Sequence, residues 1–199
     1  TIFYVVFFGT RFFGTNDDLL MMLFVSGIYN GEPTEYITFQ NITIGLILKR
    51  LYLIYSNINW YVLFLSSVQV ISLSTLYVLI KSLTNKTIQL LLFTLPLLYF
   101  VVEMNLYLQF TKVAFLSSTV GMLLILKYFF ESKSIYLLAA TMFLSVGLLI
   151  REHSMYGTLV LALPILFLLS IKYKTRVLNK KFGLFVFSVS SLVVLFSIF

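Results

Sequence analysis

Two adjacent carboxylates, Asp17 and Asp18, stand in the interval Gly14-Thr15-Asn16-Asp17-Asp18-Leu19-Leu20-Met21-Met22, inside a chain that is otherwise nearly all apolar. A carboxylate can take a proton from a hydroxyl as a general base, or hold a divalent cation through its oxygens. Further along, Glu103 is followed by Gln109 and Lys112, and Arg151-Glu152-His153 makes a third polar group. Arg can grip a phosphate with two parallel hydrogen bonds, and Lys meets it as a point charge. A base or metal site beside a phosphate clamp suits transfer of a group away from a lipid phosphate. The same residues have plainer uses. Asp17 and Asp18 could simply satisfy the free N–H groups of a helix start. Glu103 could be an ordinary interfacial residue, Arg151 could snorkel from a helix end, and His153 lacks a second histidine for a metal pair.

These residues must be held by helices in a membrane. Hydrophobic residues make up 60% of the chain and charged ones 11%, with a mean hydropathy of +1.02. A soluble domain averages about a quarter charged residues. Ten-residue segments of alternating polarity, the mark of a membrane barrel, are absent. The expectation is an all-α, polytopic transmembrane helical bundle, a single transmembrane domain over 1–199, with about seven spans at 1–13, 60–80, 88–102, 110–126, 135–150, 155–171 and 182 to the end. Between the first two, Asn16 or Thr15 caps a short helix over 17–25, Gly27 and Gly31 offer stops, and Glu32-Pro33 makes a turn. The segment 36–55 is interrupted by Lys49-Arg50 and is expected to lie in the interface, anchored by Tyr52, Tyr55, Trp60 and Tyr61. Pro96 and Pro164 are expected to kink their helices. Thr1 is not a start methionine and Phe199 falls in an apolar run, so a piece of a longer chain is expected.

The net charge of +7 lies in short loops between apolar runs, the pattern of a topology signal and not of nucleic-acid binding. With the Asp17-Asp18 loop outside, the inner loops hold nine of the fourteen basic residues: Lys81, Lys86, Lys127, Lys133, Lys172, Lys174, Arg176, Lys180 and Lys181. Asp17, Asp18, Glu32, Glu35, Glu103 and Glu152 then fall outside, and Glu131 alone inside. One face collects nearly all the carboxylates and the only histidine. The outer loops carrying Asp17-Asp18, Glu103, Gln109 with Lys112, and Arg151 to His153 are expected to converge there. The chain has no cysteine, which excludes disulfides and thiol chemistry.

A shortened first helix, an acidic motif just outside it, two interfacial helices and then further spans resembles the GT-C superfamily of integral-membrane glycosyltransferases. Asn16-Asp17-Asp18 matches that family's first-loop acidic position, and Glu103 falls where a second acidic residue belongs. The stretch NDDLLMMLFVSGIYNGEPTEY, FTKVAF from Phe110 to Phe115, and LLIRE from Leu148 to Glu152 are similar to a branch of uncharacterised bacterial membrane proteins near that superfamily. The resemblance implies a bacterial plasma-membrane enzyme that moves a sugar from a polyprenyl-phosphate-linked donor to a cell-surface glycan, lipid or protein. It implies Asp17 or Asp18 as catalytic base, Glu103 as its assistant, and Arg151, Lys112, His153 and Gln109 as ligands of the substrate phosphate. Some family members need a divalent cation, Mg or Mn, for which Asp17 and Asp18 are the candidate ligands, although the loop has no Asp-x-Asp. Two rival readings are a non-enzymatic transporter or flippase of lipid-linked glycans, and a glycan polymerase or ligase outside GT-C. A transporter expects ionisable residues near the membrane midplane, and the span interiors here carry almost none.

Overall fold

The computed structural model describes residues 12–83, 94, 98–104, 106–173 and 180–197. The elements are β1 (Phe12–Phe13), α1 (Asn16–Ser26), α2 (Ile42–Ile54), α3 (Trp60–Leu83), β2 (Tyr107–Leu108), α4 (Phe110–Glu131), α5 (Ser134–Ile150), α6 (Glu152–Lys172) and α7 (Lys180–Ser197). A further helical segment covers 98–104. The strands are two residues each and pair in parallel, so the fold is helical apart from that clip. Three of the described helices, Trp60–Ser82, Phe110–Glu131 and Glu152–Leu169, are long and apolar enough to cross a membrane. A rise of 1.5 Å per residue brings each to about 27–35 Å, against a hydrocarbon layer of about 30 Å. The expected spans at 1–13 and 88–102 lie largely outside the described residues, as does Pro96. Helix α6 runs unbroken past Pro164.

The chain divides into two compact units, Thr1–Val113 and Ala114–Phe199. In the first, α1 and α2 pack on each other and both pack on α3. Met21, Val25, Leu48, Tyr52, Tyr61 and Leu65 are buried there. Helix α1 stops at Gly27, whose φ of 81° is open to glycine at little cost; a Cβ there would also sit 2.6 Å from the Pro33 nitrogen. The chain then folds back so closely over α2 that a Cβ on Gly45 would meet the Glu35 carbonyl oxygen at 1.9 Å. An ion pair between Lys49 and Glu35, 2.6 Å, closes this loop. The lysine expected to interrupt α2 is therefore neutralised by a side chain of the same unit. Helix α2 has 13 residues, about 20 Å, too short to span. Two of its expected interface anchors need correction. Tyr52 and Tyr61 are 4% and 0% exposed, because their hydroxyls serve buried hydrogen bonds.

In the second unit the close contact of α4 and α5 uses small residues. A Cβ on Gly147 would lie 2.2 Å from Ser118 Oγ, and one on Gly121 would lie 2.8 Å from Leu144 Cγ. Ser117 Oγ donates to the Phe143 carbonyl across the same seam at 2.8 Å. Lipid tails are as apolar as leucine, so membrane helices associate by such close packing and hydrogen bonding rather than by hydrophobic burial. Helices α6 and α7 both pack against α5.

Candidate functional site

Asp18 sits in the first turn of α1 and is 0% exposed. The expected role for such a residue is to cap its own helix, but its carboxylate serves other elements. Oδ1 accepts from the backbone N–H of Phe110 at 2.9 Å, the first residue of α4, and from the Tyr61 hydroxyl of α3 at 3.1 Å. Oδ2 accepts from Thr15 Oγ1 at 2.7 Å. Thr15 is the N-cap residue, extended at φ −140°, yet its side chain makes no cap bond and turns to Asp18 instead. One carboxylate thus joins the first loop, α3 and the start of α4. Burial raises its pKa above the ordinary aspartate range; the three hydrogen bonds oppose that shift, and the charge on Asp17 adds to it.

The parallel clip reinforces the junction. Phe12 is in register with Tyr107 and Phe13 with Leu108, and Gly14 N–H donates to the Leu108 carbonyl at 2.8 Å. A Cβ on Gly14 would come within 3.1 Å of Gln109 Cβ, so glycine lets the two strands lie close. A second layer closes over the hub. Gln40 Nε2 donates to the Tyr61 hydroxyl at 3.2 Å, and Tyr61 N–H donates to the Tyr52 hydroxyl at 3.1 Å. Tyr52 in turn donates to Asn59 Oδ1 at 3.0 Å. Phe39, in the left-handed region at φ 66°, stacks its ring on Phe110 with centroids 6.3 Å apart.

The sequence-predicted residues fall into two sets. Asp17, Asp18, Glu103, Gln109 and Lys112 belong to the first unit, and Arg151 and His153 to the second. Asp17 is exposed, one residue from the hub. Lys112 and Glu103 form an ion pair with each other, so residues expected to act separately are partners, two residues beyond the Phe110 N–H that Asp18 holds. Gln109 is half-buried just before α4. Arg151 is extended at φ −161° between α5 and α6. It is the C-cap of one and the N-cap of the other, its N–H donating to the Gly147 carbonyl at 2.9 Å. His153 is an exposed surface residue, its ring nitrogen 3.9 Å from the Glu152 carboxylate. Sequence reading missed Thr15, Gln40 and Tyr61. A tyrosine at the head of a span reads as an interface anchor, and only tertiary contact shows that its hydroxyl points inward.

Among the described residues no three His, Cys, Asp or Glu side chains gather as a metal site. Asp18 in particular holds N–H and O–H donors where a cation would need lone pairs. These residues do not fit a divalent ion. No protein-family model, curated protein or solved structure matches the chain.

Proposed function

We propose that the chain is a membrane glycosyltransferase that moves a sugar from a polyprenyl-phosphate-linked donor to a cell-surface acceptor, with Asp17 as the base. The observation that carries the reading is the division of labour in the acidic pair. Asp18 is buried and fully hydrogen-bonded, whereas Asp17 beside it is exposed, in the first turn of a helix that Asp18 ties to the start of α4, where Lys112 pairs with Glu103. In the proposed reaction Asp17 takes the proton of the acceptor hydroxyl as its oxygen forms a bond to the anomeric carbon. The bond from that carbon to the phosphate oxygen breaks, and the electron pair leaves with the phosphate. A cation beside the departing phosphate stabilises the developing charge, and Lys112 is that group, with Glu103 holding its ammonium in place. Gln109, in the same unit, is a further candidate for the phosphate, and Arg151 and His153 stand as candidates on the sequence pattern alone. The outer leaflet of a bacterial plasma membrane is the proposed setting, with the Asp17 loop outside.

A transporter or flippase is the second reading, and one observation favours it. Gln69 and Ser72, one turn apart in α3, are buried, and among the described residues neither amide atom nor the hydroxyl has a hydrogen-bond partner. Unpaired polar groups at membrane depth are costly and often line substrate paths. Membranes carrying the protein, supplied with radiolabelled polyprenyl-phosphate sugars, separate the two. Under the first reading Asp17→Asn abolishes label transfer without loss of inserted protein, and Gln69→Leu leaves transfer intact. Lipid-linked sugar that crosses the bilayer unchanged, insensitive to Asp17→Asn and lost in Gln69→Leu, would overturn it in favour of the second.

A further inference from the structure

Helix α2 is apolar on both sides. Ile44, Leu48 and Tyr52 are buried within the first unit, but the opposite side is no ordinary water-facing surface. Leu46, Ile47, Leu53 and Ile54 there are 41%, 56%, 64% and 79% exposed. Arg50 stands at the centre of this face, three or four residues from each of them, which is the spacing of helix neighbours. It is exposed, and among the described residues its guanidinium has no ion pair or hydrogen bond. Lys49 beside it turns aside to Glu35. The outer face therefore carries one unneutralised cation ringed by apolar side chains.

Depth and charge choose the occupant. Helix α3 offers 23 residues to a membrane. That is about 34 Å against a hydrocarbon layer of about 30 Å, so Trp60 at its head lies near one boundary. Ile44, Leu48 and Leu51 of α2 line a groove with Trp60, Phe64 and Ser67 of α3. Helix α2 thus packs along about the first 10 Å of that span. A helix resting in a membrane interface is buried by about 5–10 Å, which is the same depth. Acyl chains there accept the four apolar side chains, and headgroup phosphates lie just above. The long apolar stem of an arginine lets its charge reach them, and its fork fits a phosphate. A protein partner on this face would have to bring a carboxylate for Arg50, whereas the bilayer already holds the anion. We propose that the outer face of α2 seats directly in the bilayer, with Arg50 holding the phosphate of an anionic phospholipid. These residues take over the anchoring expected of Tyr52 and Tyr61, whose rings are buried. The surface serves the chain whether or not it transfers sugar.

The cysteine-free chain takes single nitroxide labels without further change. Ile54→Cys reports on the face itself. Ile71→Cys, at a site 58% exposed on α3, reports on the bilayer interior, and Glu32→Cys, exposed in the loop after α1, reports on water. In phosphatidylglycerol vesicles the Ile54 label is expected to meet oxygen more than a water-soluble nickel chelate, at a depth between the two references. The phosphate is read separately, on the unlabelled protein, with phosphatidylglycerol that carries a photoactivatable diazirine near the top of one acyl chain. Its adducts on the α2 peptide are expected to be displaced several-fold better by phosphatidylglycerol than by phosphatidylcholine, and Arg50→Gln is expected to abolish that difference. An Ile54 label as open to nickel as the Glu32 label, or shielded from both reagents by a second protein, would overturn the lipid seat. A preference for phosphatidylglycerol that survives Arg50→Gln, or none in the unaltered protein, would overturn the phosphate contact.

Discussion

A carboxylate that accepts three hydrogen bonds from three elements carries more structural weight than an exposed neighbour of the same type. Asp18 is that carboxylate, and its pKa is raised because burial penalises its charge more than the donors favour it. An acid whose folded pKa lies above its unfolded one contributes most stability below the unfolded pKa, and that contribution is lost as pH rises through the folded value. The unaltered protein is therefore expected to lose melting temperature as pH rises from the ordinary aspartate range through Asp18's raised value. Asp18→Asn, which does not titrate, is expected to flatten that loss. At neutral pH Asp18→Ala is expected to cost about 3 kcal/mol or more, since it strands the Phe110 N–H and the Tyr61 hydroxyl and leaves a cavity. Asp17→Asn, at an exposed position, is expected to change stability by no more than about 0.5 kcal/mol. Thermal unfolding in one detergent over a pH series reads all three; equal losses at the two aspartates would put both in the same structural role.

At the level of elements, the same substitution at two helix glycines carries opposite predictions, because one glycine lies in a close helix contact and the other does not. Gly147→Ala drives a methyl into Ser118 Oγ at 2.2 Å and towards the Ala114 carbonyl at 3.1 Å. A cost of about 1–3 kcal/mol is expected, by analogy with overpacked cores. Gly157→Ala on α6 meets nothing within 4 Å, and is expected to be neutral or to stabilise by up to about 1 kcal/mol through helix propensity. Melting temperatures of the two variants side by side test this, and a harmless Gly147→Ala would mean that α4 and α5 do not approach as described. The short helix that opens with the Asp pair, its stop at Gly27, and helices beginning near Trp60, Phe110 and Ile135 were legible from cap residues and apolar run length alone. The contact partners were not. Gly45 and Gly147 sit mid-helix with no local signal, because what requires them is backbone from another part of the chain.

For the molecule as a whole, charge distribution governs how it meets a membrane, and here sequence carries information that packing does not. Nine of fourteen basic residues fall in the loops assigned to the inner side and five remain. Carrying one positive charge outward against a potential of 100 mV costs about 2.3 kcal/mol, so the excess would disfavour the reverse orientation if the seven-span layout expected from the sequence holds. The acidic hub was legible only in part for the same reason. Its residue types and its place between apolar runs stand in the sequence, whereas the link from Asp18 to Phe110 spans ninety-two positions and leaves no periodic trace. Orientation has a direct test in this cysteine-free chain. Glu32 is exposed in the loop after α1, and a Glu32→Cys variant is expected to react with a membrane-impermeant maleimide in intact cells. Blocking with that reagent should prevent later labelling by a permeant one, because the loop has no second location. Reaction only after permeabilisation would place Asp17 on the inner side, out of reach of an outer-leaflet acceptor, and the proposed transfer would fall with it.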